Sequence, residues 1–439
     1  MKILIIDQDN ASVDFAIRCR AYGHQVKVFV RPTKWGRSKV GDGLFEKVAH
    51  WEPHMKWADL IFMTDNTYYT TAIEQYIKKG FPIIGPGAMA TRWETDRKHG
   101  MDVLRKVGIP TIPDKEFSKV DEAIKHVLST NKRYVSKPND DANKAMSYVA
   151  KSPADLIFML NYWKKQGLIK DSFVLQEFRP GIEVAVGGWF GPGGFSKNFC
   201  INFEHKKLMN NEKGPNTGEM GTVLYYTQND PLIDKMLRPI EGQLHGINYT
   251  GYIDMNCIID DRGNAWPLEW TMRPGWPLFN IQQALHKGDP AEWMLDLYEG
   301  RDTLKIKDQI ATGVATALPD FPYGQEDVTK STGFPIYGVT PEMACGDFHL
   351  YEAMAGKAPA MVNGSVKMDE ECFVTAGRYP LVVTGTGSTV EESSDRAYKN
   401  LKKVEIPNSV MYRTDIGHRL EEQLPELAKM GYCKDICYE

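Results

Sequence analysis

Four groups of residues have types and spacings suited to chemistry. Glu204-His205-Lys206-Lys207 is followed by Lys213-Gly214-Pro215-Asn216-Thr217-Gly218-Glu219-Met220-Gly221. Gly, Asn and Thr at this density predict a loop whose backbone N–H groups face an anion. His205, Lys206 and Lys207 add positive charge at its base. Lys137 ends the run Arg133-Tyr134-Val135-Ser136-Lys137, where a lysine can reach a phosphate. Taken alone, a solvated surface lysine is the plainer reading. Gln176-Glu177-Phe178 and Gly181-Ile182-Glu183 place acids at a strand end, suited to an adenine amino group or ribose hydroxyls, or simply to flanking a turn. Glu269, in Pro267-Leu268-Glu269-Trp270-Thr271-Met272-Arg273, is a lone acid among apolar neighbours. An unpaired buried charge is costly, so it calls for a cation: Mg²⁺ or Arg273.

These residues need elements to hold them. Residues 2–7 are an apolar run suited to a buried parallel strand. Helical spacing over 13–22, strands at 25–30, 58–63 and 82–84, and a helix near 72–79 complete a strand–helix alternation. This predicts a parallel sheet with helices on its faces, ending near residue 93. A helix at about 96–107 leads to a small α+β lobe of strand, helix (120–129), strand (134–137), helix (153–166) and strand (173–178). Strands and Gly-rich turns follow to about 223, then a helix near 230–244. A hairpin of 251–259 and 264–269 turns through Asp260-Asp261-Arg262-Gly263. From about 306 the chain reads as mostly β.

The first βα turn, Asp7-Gln8-Asp9-Asn10-Ala11-Ser12, contains no glycine and carries two acids. It cannot bring a helix N-terminus close to a pyrophosphate, which argues against a dinucleotide-binding oxidoreductase; a solvated loop is expected. The chain has 439 residues, 53 basic and 57 acidic side chains, and a formal charge of −4. Nucleic-acid binding through phosphates would call for a basic excess or stripe, and neither is present. No apolar run approaches the ~20 residues of a membrane helix. Seven cysteines without paired CxxC motifs fit reduced thiols in the cytoplasm.

At the Glu204–Gly221 tract the chain resembles the phosphoribosylamine–glycine ligase family of the ATP-grasp superfamily. That pattern is near D-H-K-R, six residues, then G-P-N-T-G-G-M-G, and here Glu204, Lys207 and Glu219 depart from it. Ile84-Gly85-Pro86, Gly108-Ile109-Pro110-Thr111, Val174–Phe178, Gly181–Glu183, Val374–Arg378, Arg396-Ala397-Tyr398 and Tyr412–Arg419 extend the likeness over most of the chain. The resemblance implies an N-terminal parallel-sheet (pre-ATP-grasp) domain over 1–93. It also implies an ATP-grasp domain over 94–305, with a small lid lobe at about 112–182, and a mostly β C-terminal domain over 306–439.

The resemblance implies a cytoplasmic, ATP-dependent ligase of purine nucleotide biosynthesis. It would phosphorylate a carboxylate (glycine in the family), and an amine (phosphoribosylamine) would displace the phosphate. It would use Mg²⁺, or Mn²⁺, and act as a monomer or homodimer. Carried onto this sequence, Lys137 and Arg97, with Lys98 beside it, would meet ATP phosphates. Glu177 would sit at the adenine hinge and Glu183 at the ribose. Glu269, Thr271 and Asn256 would hold the metal. His205, Lys207, Gly214, Asn216, Thr217 and Gly218 would bind the amine substrate, and Lys206 and Arg273 would serve catalysis.

The departures gather at the reaction centre. The stretch after Lys137, Pro138-Asn139-Asp140-Asp141-Ala142-Asn143-Lys144-Ala145-Met146, has no glycine where the family is glycine-rich. In Glu269-Trp270-Thr271-Met272-Arg273-Pro274-Gly275-Trp276-Pro277-Leu278, Thr271 replaces an asparagine, and Trp276 and Leu278 replace acids. The first βα region also lacks the family's G-G-R-E-H pattern. Three readings follow: the family reaction, a ligase with a changed acid or nucleotide-like amine, and a binding protein that keeps the fold without catalysis.

Overall fold

The computed structural model describes residues 1–33, 36–138, 147–169, 172–319, 321–323, 328–407 and 409–439. The glycine-free stretch 139–146 therefore lies outside the described residues.

The N-terminal alternation folds as its pattern predicts. A five-stranded, all-parallel sheet runs in the order Glu46–Lys47, Gln25–Val30, Lys2–Asp7, Leu60–Met63, Ile83–Ile84. Lys2–Asp7 is central, and all its residues except Lys2 are buried. Helices Val13–Ala21 and Thr70–Ile77 join these strands. The turn after the central strand is not a solvated loop. Asp7 is fully buried, and its carboxylate accepts the N–H groups of Asp9, Ala11 and Ser12 and the Thr64 hydroxyl. The acid that breaks the apolar run thus binds the orphan donors at the approach to the first helix.

The small lobe is a four-stranded antiparallel sheet ordered Asp114–Phe117, Phe173–Glu177, Tyr134–Pro138, Tyr148–Val149. Helices Val120–Thr130 and Pro153–Lys165 close over a separate core around Phe173, Leu156, Leu160 and Trp163. The larger lobe is organised by a sheet that includes, in order, Ala265–Thr271, Gly251–Ile259, Ile182–Gly191, Phe199–Glu204, Gly221–Thr227, Ile310–Ala315, Leu381–Gly387 and Phe348–Leu350. Strands from both sides of residue 305 share this sheet. The stretch near 230–244 is broken into Ile233–Leu237, Arg238–Ile240 and Glu241–Gly246, with Pro239 lacking the N–H a continuous helix needs.

The C-terminal part adds a sheet of Thr332–Ile336, Ser365–Ala376 and Ala353–Val362. It also carries helices Val390–Leu401 and Leu420–Lys429, whose spacing buries Val390, Ala397 and Leu401 in one and Leu420, Leu424 and Leu427 in the other. All seven cysteines are unpaired. Among the described residues no helix is long and apolar enough to cross a membrane.

Candidate active site

The site sits where the small lobe, the large sheet and the N-terminal domain meet. Helix Arg97–Lys106 begins at Asp96, whose carboxylate accepts the His99 N–H at 3.0 Å. Trp270 pins this helix to strand Ala265–Thr271 by donating its indole N–H to the Gly100 carbonyl at 3.1 Å. Arg97 is thereby carried over the strand. Its guanidinium donates to the Leu268 carbonyl at 3.2 Å and lies 3.9 Å from Glu269.

Lys137, at the end of the small-lobe strand, is 8% exposed. Burial first, then the cations of Arg97 and Lys206, bring its ammonium down to about 7 against the pull of Glu269 and Glu183. Lys206 lies among three carboxylates: Glu204 at 2.9 Å, Glu183 at 3.1 Å and Glu269 at 3.2 Å. Burial opposes its charge, but these acids outweigh burial and hold its ammonium well above the ordinary range. In return Lys206, then Lys137 and Arg97, bring Glu269 down to about 2. Glu183 is raised by burial, but Lys206 and an Asn256 hydrogen bond at 2.8 Å bring it below its usual value.

Strand pairing explains this convergence. Asn256 lies directly across from Glu269 in the antiparallel register, and Thr271, two residues on, shares the Glu269 face. Asn256 donates to Glu183 and Glu204, and its carbonyl oxygen has no partner. Asn256, Glu269 and Thr271 line one cavity of about 130 Å³, together with Glu204, Lys206, Gly218, Glu219, Asp254, Arg273 and Trp276. Among the described residues no three His, Cys, Asp or Glu side chains form a metal cage. The oxygens present fit a Mg²⁺ that arrives with its nucleotide, because that ion takes one or two carboxylates plus phosphate oxygens.

Other expected site residues are placed differently. Glu177 pairs with Lys132 at 2.6 Å. The Lys207–Gly218 tract is not an open anion-binding loop. It forms a two-stranded hairpin of Lys207–Met209 and Lys213–Asn216, with Gly214 in a left-handed conformation at φ 79°. The Thr217 N–H and hydroxyl both donate to the Lys206 carbonyl at 2.8 Å, so they are spent on closing the hairpin. The backbone N–H of a density-rich Gly-Asn-Thr tract found a partner within the chain, which spacing alone could not show.

His205 adds no charge. It is 1% exposed, and burial, then Arg419 and Arg413, hold it well below the usual histidine range. Its Nε2 accepts the Gly417 N–H at 3.3 Å. The Lys207 carbonyl accepts from Arg413 at 3.0 Å. Arg273 does not pair with Glu269: its Nε lies 3.2 Å from Glu94 and 3.4 Å from Asp65. Burial opposes the Arg273 charge, and Glu94, Asp65 and Asp9 more than restore it.

Sequence reasoning missed several neighbours. Asp9 is raised to about 7 by burial, then by Asp65, Asp7 and Glu352. Trp276 stacks on Tyr351 at 3.8 Å and approaches Tyr379 at 5.0 Å. Glu219 and Asp254 are buried on the cavity wall. Asp254 carried the same signal as Glu269, a lone acid in an apolar strand.

Residues 95–275 match the family model for the phosphoribosylglycinamide synthetase ATP-grasp (A) domain. The whole chain is similar to the phosphoribosylamine–glycine ligase of Lactococcus lactis, 24% identical over 95% of this chain and all of that protein. A Leptospira interrogans protein of the same name is 24% identical over 77% of this chain and 78% of its own length. Among solved structures, the Thermotoga maritima phosphoribosylamine–glycine ligase shares the fold with a TM-score of 0.69 and 21% identity, covering 95% of this chain and all of that one. A Campylobacter jejuni biotin carboxylase, solved as a β,γ-ATP complex, reaches 0.60 at 14% identity, with 98% and 97% covered. The matched stretch includes Arg97, Lys137, Lys206 and Glu269.

Proposed function

We propose that this chain is an ATP-dependent carboxylate–amine ligase of the phosphoribosylamine–glycine ligase type, acting in purine nucleotide biosynthesis. One observation carries the reading: Lys137 and Arg97, from different elements, converge on Glu269 opposite Asn256, within an ATP-grasp domain. A carboxylate is a poor electrophile, and phosphorylation supplies the leaving group that an amine then displaces. The protein must therefore hold anionic reactants together with fixed positive charge.

In this reading Lys137 and Arg97 hold the ATP phosphates, and Glu177 and Glu183 serve the base and sugar. Glu269, Thr271 and the free Asn256 oxygen hold Mg²⁺, with Mn²⁺ as a substitute. The metal supplies charge neutralisation at the transferring phosphoryl group. Lys206 keeps three carboxylates from repelling each other and offers its ammonium to the reacting carboxylate. Arg273 steadies the phosphoryl side from its seat between Asp65 and Glu94. Lys207, Gly214, Asn216, Thr217 and Gly218 border the amine's approach, and His205 positions them from below. The reactants are an amino acid and a phosphorylated amine, and the enzyme works in the cytoplasm as a monomer or homodimer.

A second reading, a ligase with a changed amine, is favoured by the acids Glu94, Asp65 and Asp9 gathered near Arg273. They disfavour a phosphate there through like charge. The test is ADP release from Mg-ATP with glycine and freshly generated phosphoribosylamine, each omitted in turn. Release that needs both establishes the family reaction. Release that needs the acid but accepts other amines establishes the second reading. Folded protein that neither binds nor hydrolyses ATP overturns both.

A further inference from the structure

A second cavity, of about 170 Å³, shares no lining residue with the cavity beside Glu269. Three parts of the chain wall it. Helix Val13–Ala21 contributes Arg18, and helix Leu278–Leu285 with the strand after it contributes Gln283 and His286, beside Lys307. The segment before strand Phe348–Leu350 contributes Cys345 and Asp347. Helix Val13–Ala21 begins at the turn that carries Asp9, close enough to Arg273 to feel its charge. The helix is roughly 14 Å long, so that turn and this cavity lie at its two ends.

Most polar groups on these walls are already matched. Arg18 donates to Asp14 at 2.7 Å and to the Cys345 and Gly346 carbonyls at 2.9 and 2.7 Å. Gln283 donates its amide to Asp14 at 2.6 Å. His286 is bonded to the Tyr226 hydroxyl at 2.6 Å, and burial, then Arg18, keep it neutral by bringing it down to about 3. Three groups are left over. The Gln283 Oε1, on a side chain 6% exposed, has no partner. Lys307 donates to the Ala284 carbonyl at 2.7 Å, which leaves ammonium hydrogens to spare, and among the described residues it pairs with no carboxylate. Asp347 accepts from Asn400 at 3.3 Å and, among the same residues, pairs with no cation.

Unpaired charges of both signs, with a spare buried acceptor, complement a molecule that carries both signs itself. An anion alone would leave Asp347 facing like charge, and a cation alone would do the same to Lys307. At ~30 Å³ per water-sized group, the space holds about six heavy atoms. We propose that this cavity is a second ligand site, for a small zwitterion of the α-amino-acid type, separate from the seats of the reactants. The ligand's carboxylate meets Lys307, and its ammonium meets Asp347 and the Gln283 oxygen. A molecule held there ties helix Val13–Ala21 to the large lobe and the C-terminal part, and so acts on the turn beside Arg273 through the helix between them.

The test is calorimetry on the full chain without nucleotide, using L-alanine, L-lactate and ethylamine. L-alanine should bind at least about tenfold more tightly than either singly charged analogue, and lose at least about tenfold in Lys307→Met and in Asp347→Asn, the scale of one charge-assisted contact. Cys345 is exposed on the cavity wall and reports occupancy without any substitution. Its alkylation by a maleimide, mapped by peptide mass spectrometry, should slow severalfold with L-alanine, while that of exposed Cys437 stays constant. Absence of L-alanine binding overturns the proposal. So does binding that both variants retain, or that leaves Cys345 alkylation unchanged, because the amino acid is then seated elsewhere. If one variant unfolds, the other variant and the Cys345 readout decide. Neither Lys307 nor Asp347 belongs to the candidate active site, so each of these failures leaves the ligase reading standing.

Discussion

Lys137 and Glu269 show how one location gives two ionisable groups opposite behaviour. Lys137 is buried beside other cations, and its ammonium is brought down to about 7. Its unfolded value is near 10.5, so above pH 7 the unfolded chain binds the extra proton, and the Lys137 contribution to stability rises between these values. A bound phosphate reverses the preference. At pH 8, Mg-ATP binding should therefore take up as much as about one proton, visible as heats that depend on the buffer's ionisation enthalpy. Lys137→Met should abolish the uptake and weaken ATP binding at least about tenfold, the loss of one charge-assisted hydrogen bond. Glu269, brought down to about 2, is ionised throughout the useful pH range. Glu269→Ala should reduce kcat/KM about a hundredfold or more in a steady-state ADP-release assay, with its melting temperature little changed because the side chain is nearly half exposed.

At the scale of elements, the site depends on where one short helix starts. Asp96 ends helix Ala88–Thr95 and caps helix Arg97–Lys106, so the chain turns there and Arg97 becomes the first residue over strand Ala265–Thr271. Asp96→Ala should cost about 1 kcal/mol of stability in a denaturant titration, the usual value of an N-cap. Because the cap positions Arg97, the same variant should also weaken ATP binding. The Gly251–Ile259 and Ala265–Thr271 hairpin does comparable work. Its turn is held by Asp260, which accepts from Arg262, Asn264 and Trp266, and the resulting register sets Asn256 against Glu269.

At the scale of the molecule, the C-terminal segment is part of the floor beneath the site. His205 accepts from Gly417, Arg419 donates to the Glu204 carbonyl, and buried Arg413 binds the Lys207 carbonyl, Glu212 and Asp415. Apart from the local Arg413–Asp415 pair, these contacts cross about two hundred positions of sequence to hold the strand end that carries Lys206. His205 is kept neutral in the fold, while its unfolded value is near 6.5. The unfolded state therefore binds the proton first, and stability falls as pH drops below about 6.5. His205→Gln keeps an acceptor for Gly417 and removes the titration. Melting temperatures measured from pH 7 to pH 4 should fall less steeply in that variant than in the parent.

The N-terminal alternation, the small lobe and the hairpin at 251–271 were legible because each buries a face whose period the sequence displays. Glu269 was legible because a charge interrupting an apolar strand needs a partner; Lys137 was read as a strand-end lysine able to reach a phosphate, and Asn256 was singled out only through the family resemblance. The sequence by itself thus determined the elements, their order and the residues that require company. It did not determine the company. Arg273 was offered, beside Mg²⁺, as the cation for Glu269 and is instead held by Glu94 and Asp65. The Thr217 donors were expected to face an anion and instead close a hairpin. His205 was counted as a cation and is neutral, and Asp7 was expected in solvent and is buried. These outcomes depend on which groups tertiary packing brings within hydrogen-bond reach, and on how much water it removes. Burial, partner and charge state are properties of the three-dimensional neighbourhood, which spacing along the chain does not encode.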